Sequence, residues 1–211
     1  MILSNIRKLI KWGHITGNIE DQKFGSANDY TYFTNNGNIF LVGKARVTLH
    51  LDLNAESFKF RDVKQPGTGF EGLFQTLDFN SSSEEEAFTE EHVNYRWDDS
   101  TDIEVSIDWF HDNVDNGVVV WGLEYSSIKA GEVVNGTTYT LTQASSGNHL
   151  AGNLQTTVFT EKISHLNLEH DDIMAIKLFR KATDAQDTLG EDARAIEVHF
   201  HFIRNKLGES I

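Results

Sequence analysis

The stretch Asp102-Ile103-Glu104-Val105-Ser106-Ile107-Asp108-Trp109, followed after a polar segment by Val119-Val120-Trp121-Gly122-Leu123-Glu124-Tyr125, decides the fold class. Ile103, Val105, Ile107 and Trp109 alternate with polar residues, and Val119, Trp121, Leu123 and Tyr125 repeat the pattern after Gly117. A period of two marks a strand with one buried face. Between the two runs lies Asp115-Asn116-Gly117. A two-residue Asn-Gly loop would set the two apolar faces on opposite sides of a hairpin, so the sequence predicts a three-residue loop with Gly117 in the left-handed region. That register pairs Trp109 with Leu123 and Ile107 with Tyr125, giving one continuous apolar face.

Strand patterns recur on both sides of this pair. Tyr30 to Phe33 and Ile39 to Val42 flank the turn residues Asn35-Asn36-Gly37-Asn38 and read as a hairpin. Val47, Leu49, Leu51 and Leu53 alternate with Thr48, His50 and Asp52. The one proline, Pro66, lies in a Gly-containing loop, and Phe70, Leu73, Phe74, Leu77 and Phe79 follow with no clear period. Further strands are expected at Thr137 to Thr142, Leu154 to Ile163, Ile173 to Arg180 and Arg194 to Ile203. The acidic run from Ser81 to Glu91 reads as a solvated loop rather than a metal site. Short strands without intervening helical patterns predict an all-β, jelly-roll-like antiparallel β-sandwich. Residues 24–211 are assigned to it.

The chain has 211 residues, enough to bury a core, and no cysteine, so neither disulfides nor thiolate metal sites contribute. A net charge of -14 disfavours nucleic acid, whose phosphates it would repel. No run has the length of a transmembrane helix, and Met1 to Ile15 lacks the apolar core and small-residue site of a signal peptide. The expectation is a product without targeting signals or membrane insertion.

One segment differs. Met1 to Trp12 places Ile2, Ile6 and Leu9 at helical spacing, with Leu3 and Ile10 broadening the stripe, and carries Arg7, Lys8 and Lys11 without an acid. A helix this short is marginal alone and calls for a partner surface. The readings are a seam with other copies, a docking peptide with Ile2, Ile6, Leu9, Ile10 and Trp12 as its contacts, or an arm folded back on its own domain. Residues 1–23 are taken as a helical anchor and connector.

No phosphate loop, nucleophile elbow or His-Glu-x-x-His helix is present. The chemistry-bearing feature is Val198-His199-Phe200-His201-Phe202. In a strand, Ile196, Val198, Phe200 and Phe202 face the core, while Glu197, His199, His201 and Ile203 share the other face. Two histidines beside a carboxylate are a possible metal pair, but such a mixed face reads first as a subunit surface. Asp108, Phe110 and His111 would join it only if their strand lay beside the last one. Trp12, Trp97 and Phe110 are weighed as sugar-stacking platforms against burial, and burial is the default. The candidate subunit interface is His199, His201, Ile203, Asp108 and Phe110.

Several segments resemble bacteriophage and prophage virion appendage proteins of the tail-fibre, head-fibre or neck type. Trp12-Gly13-His14-Ile15-Thr16-Gly17-Asn18-Ile19-Glu20-Asp21-Gln22 is similar to a W-x-x-I-x-G-x-I-x-D-Q connector of such proteins. Tyr95-Arg96-Trp97, Val105 to Trp109, Val119 to Tyr125, Ile176 to Thr188 and His199 to Phe202 follow in the family's order. Ser106 and Asp108 stand where the family often carries histidines. The resemblance implies a non-enzymatic virion protein without a cofactor, made in the bacterial cytoplasm. It would be homotrimeric, bound to another virion protein through its N-terminus, and used in host attachment or decoration. The alternative is a carbohydrate-binding or carbohydrate-cleaving receptor module whose partner is a host surface glycan.

Overall fold

The computed structural model describes residues 22–34, 37–61, 63–145 and 150–208. Among them the chain is all-β, with three short 3-10 turns and no α-helix. The expected anchor helix, with Ile2, Ile6, Leu9, Ile10 and Trp12, lies outside the described residues. The described residues divide into two compact units, 22–47 with 204–208, and those within 48–203.

In the first unit β1 (Gln22–Gly25), β2 (Tyr30–Phe33), β3 (Ile39–Val42) and β14 (Lys206–Leu207) form one sheet in that order. The hairpin of β2 and β3 has the ends expected from sequence. Tyr32 pairs with Phe40, and their rings stack with centroids 5.2 Å apart.

The second unit is the sandwich. Its main strands are β4 (Val47–Asn54), β5 (Gly67–Glu71), β6 (Phe74–Phe79), β7 (Glu86–His92), β8 (Glu104–Phe110), β9 (Val119–Ile128), β10 (Tyr139–Ser145), β11 (Gln155–Val158), β12 (Ile173–Arg180) and β13 (Ala193–Arg204). One sheet runs β10-β9-β12-β7; the other runs β11-β8-β13-β6-β5, with β4 also paired to β13. Taking β6 to β13 as eight consecutive strands, the sheets hold the second, seventh, fourth and fifth, and the first, eighth, third and sixth. That interleaving of two Greek keys is the strand order of a jelly roll.

The topology corrects the predicted hairpin. β8 and β9 do not pair: β8 lies between β11 and β13, and β9 between β10 and β12. Their apolar faces meet across the sandwich instead, with the Trp109 and Trp121 rings edge to face at 5.9 Å. A period of two shows which residues face inward, and leaves open whether two inward faces lie side by side or opposed. Gly117 also serves another purpose than the one expected. It is not among the glycines with positive φ, and a Cβ there would lie 2.4 Å from Leu189 Cα. Close packing of the 188–189 backbone, rather than turn conformation, requires glycine.

The acidic run is corrected in part, because Glu86–His92 forms β7, paired along its length with β12. Ala87 from this strand is fully buried. On β13 the register shifts between Ala195 and Glu197. Ala193 and Ala195 face inward before the bulge, Val198, Phe200 and Phe202 after it, and Ile196 is half-buried instead of in the core.

The core combines Phe79, Ile107, Trp109, Trp121, Leu123, Leu178 and Phe200 with their neighbours. Three polar residues, Thr76, His111 and Arg180, are as deeply buried as any of these. Arg180, at the end of β12, is fully enclosed and ion-paired with the 1% exposed side chain of Asp187. Its Nε donates to Asp187 Oδ2 (3.0 Å) and Nη2 to Asp187 Oδ1 (2.7 Å) and Leu189 O (2.6 Å). Nη1 donates to Phe79 O (3.2 Å) and Glu191 O (2.6 Å). These five bonds match the five N–H groups of a guanidinium. Because Phe79 belongs to the opposite sheet, one side chain ties both sheets to the loop that follows β12. Asp187 Oδ2 also accepts Val120 N–H, and Thr188 Oγ1 accepts Val118 N–H, which staples that loop to β9.

Candidate functional site

Three adjacent strands bring the sequence-flagged histidines together with carboxylates on the outer face of one sheet. The bulge in β13 aligns Glu197 with Asp108 and His201 with Glu104 on β8. On β4 the alternation Leu49-His50-Leu51-Asp52-Leu53 turns the leucines inward and leaves His50 and Asp52 exposed. His199 then lies between carboxylates from both neighbouring strands: Nδ1 is 2.7 Å from Asp52 Oδ1 and Nε2 is 3.1 Å from Asp108 Oδ2. Glu197 Oε2 is 3.9 Å from Nε2. Beside it, His201 stacks on His50 at 4.1 Å and lies 3.5 Å from Glu104.

Glu197 and Asp108 are a like-charged cross-strand pair, a destabilising arrangement when nothing intervenes. When protonated on both nitrogens, His199 supplies a compensating charge and donates to Asp52 and Asp108. Burial pushes the His199 pKa down, but the hydrogen bonds to Asp52 and Asp108 and the charges of Asp108 and Glu197 together carry it above its ordinary value. Asp52, Glu197 and His199 each bring one ligand atom within 4.8 Å of the others. Both ring nitrogens of His199 face carboxylates, so a cation and a second imidazole proton would compete for the same place. The arrangement joins β4, β13 and β8 through His199, most strongly when both ring nitrogens are protonated.

The direction of that shift fixes a pH dependence. With the folded pKa raised, the stabilisation is fully present below the unfolded value near ~6.5 and is lost as pH rises through the folded pKa. Thermal midpoints of the protein and of His199→Asn are expected to differ most at about pH 6 and to converge toward about pH 9. A difference that stays constant over that range would show that His199 does not bridge as a cation.

The other sequence candidates fall in different places. Asp108, His199 and His201 belong to the cluster, and Ile203 is half-buried at the end of the same strand. Phe110 does not: it is 3% exposed, with the Arg194 guanidinium 5.0 Å from its ring centroid. His111 is fully buried with Nδ1 3.0 Å from Glu191 Oε1. Trp97 is 1% exposed, and its Nε1 donates to Thr101 O. Trp12 lies outside the described residues. His50 and Asp52 were missed. Their alternation with leucines placed them on an outer face, but nothing local shows that β4 pairs with β13.

Two cavities, of about 380 and 490 Å³, lie away from this cluster. The larger lies against β7, β9 and β12, where Lys177 pairs with Glu124 and Glu86 at 2.6 and 3.9 Å. Its half-buried aromatic, Phe88, carries the Arg61 guanidinium 4.3 Å from the ring centroid.

No family model matches the sequence, and none of the curated proteins compared with it matches. Among solved structures, the chain is similar to one in the structure of infectious bursal disease virus Gx strain, with 9% identity and a TM-score of 0.34. The similarity covers 90% of this chain and 38% of that one, so this protein spans well under half of the matched chain's length. At that identity and score the similarity says nothing about function.

Proposed function

We propose that the protein is a non-enzymatic structural component of a virus particle, in the finer reading a bacteriophage fibre, knob, neck or decoration protein. The N-terminal segment anchors it, and it presents a homotrimeric β-sandwich. The observation that carries this reading is where the segments resembling virion appendage proteins fall in the fold. Val105 to Trp109 and Val119 to Tyr125 supply facing core strands with Trp109 and Trp121, and Ile176 to Thr188 supplies Arg180 and its partner Asp187. What the chain shares with those proteins is therefore scaffold. The jelly-roll strand order agrees, since it recurs in viral shells, although lectins and cupins use it too.

The carbohydrate alternative has less support. Of its three aromatic platforms, Trp97 and Phe110 are buried, and the third, Trp12, lies outside the described residues.

Two results are expected. Light scattering at micromolar concentration should give about three times the 23.9 kDa chain mass, and a value near one chain mass would remove the trimer. Deletion of Met1 to Gln22 should leave the sandwich folded but abolish incorporation into particles. Normal incorporation of the deleted form would move attachment onto the sandwich itself.

A further inference from the structure

Three carboxylates share one imidazole on the outer face of the sheet that holds β8 and β13. Asp52, Asp108 and Glu197 have His199 as their ion-pair partner at 2.7, 3.1 and 3.9 Å, and among the described residues none of them is paired with a lysine or arginine. Other acids of this sheet have a permanent cation. Glu71, Asp78 and Asp112 surround the Arg194 guanidinium, and Glu104 is 3.2 Å from Lys162 Nζ. A doubly protonated imidazole cancels one of the three negative charges around His199, whereas a divalent cation cancels two.

The geometry suits such an ion. Asp52, Glu197 and His199 each present a ligand atom within 4.8 Å of the others. Atoms bound to one ion at ~2.0 to 2.2 Å lie roughly 3 to 4.4 Å apart, so gathering these three needs about half an ångström of side-chain adjustment. Their side chains are 45%, 32% and 17% exposed, so an ion reaches them from solvent. They stand on β4 and β13, which are paired in the sheet, and ligands carried on strands are held more firmly than ligands on loops. Asp108 is oriented as well: its Oδ1 accepts from Thr156 Oγ1 at 2.5 Å, while its Oδ2 faces His199 Nε2. A carboxylate that fixes the ring of a ligating histidine is the usual support around a protein-bound metal.

The donor set selects the class of ion. One imidazole with two carboxylates suits zinc and its first-row neighbours, whereas magnesium and calcium take oxygen ligands and gain nothing from the histidine. We propose that Asp52, Glu197 and His199 form a binding site for a divalent first-row transition ion, represented by zinc, that fastens β4 to β13.

Titration calorimetry tests this on the full chain, treated with a chelator and exchanged into a non-coordinating buffer, with zinc chloride and magnesium chloride as separate probes. The expected result is one zinc per chain with a Kd of about 10 µM or tighter, and no magnesium binding in that range. His199→Ala, Asp52→Asn and Glu197→Gln should each weaken zinc binding about tenfold or more, while replacing the exposed His92 of β7 by alanine should leave it unchanged. Zinc should also raise the thermal midpoint of the protein but not that of the three site variants. Should His199→Ala fail to fold, Asp52→Asn, at an exposed position, carries the test. No saturable zinc binding, magnesium binding as tight as zinc, or zinc affinity unchanged in Asp52→Asn would each overturn the proposal.

Discussion

Replacing Arg180 by methionine is expected to remove about 3 to 5 kcal/mol of unfolding free energy, measured by urea denaturation. The substitution strips Asp187 of its buried counter-ion and leaves the carbonyls of Phe79, Leu189 and Glu191 without the donors they now have. Charge alone does not satisfy this site. Lysine would keep the charge but offers three donors on one nitrogen where five bonds are made from a planar fork, so Arg180→Lys should also be severely destabilised. The two sheets and the loop after β12 lose their shared fastening together, and a single cooperative transition at lower denaturant is expected. A loss under about 1 kcal/mol for Arg180→Met would show that the clamp adds little to stability.

Trp121→Ala is the second large effect, again about 3 to 5 kcal/mol. Trp121 is fully buried in β9, edge to face with Phe79 at 5.4 Å and with Trp109 at 5.9 Å. Truncation leaves a cavity lined by residues of both sheets, and rigid strands cannot collapse to fill it. Burial also follows from the sequence period alone. A loss under about 1 kcal/mol would therefore contradict both the period-two reading and the packing seen here.

What the sequence conveyed well was inward and outward facing. β12 has the predicted ends, Ile173 and Arg180, and the hairpin of β2 and β3 matches residue for residue, because alternation and turn residues are local signals. Partner choice was not legible. Asn116-Gly117 has the chemistry of a hairpin turn, yet β8 and β9 cross between sheets, since the Greek-key order is set by long-range packing. Ile196 was misplaced because a bulge changes the alternation without any residue type that marks it. The histidine face was half legible for the same reason. Glu197, His199 and His201 share a strand, whereas Asp52 and His50 reach them from a strand nearly 150 positions earlier in sequence. Arg180 gave no local warning at all. It closes an apolar strand at the position where a solvent-exposed charge would be ordinary, and only the loop folding back over it shows that it is core.

The most direct test of a structural role is quantitative mass spectrometry of gradient-purified virus particles from the source of this gene. A structural component should co-purify in fixed stoichiometry, in copies that are a multiple of three, and should stay with the particles through high-salt washing. Its absence from particles, with the protein found only in the soluble fraction of producing cells, would contradict a virion role.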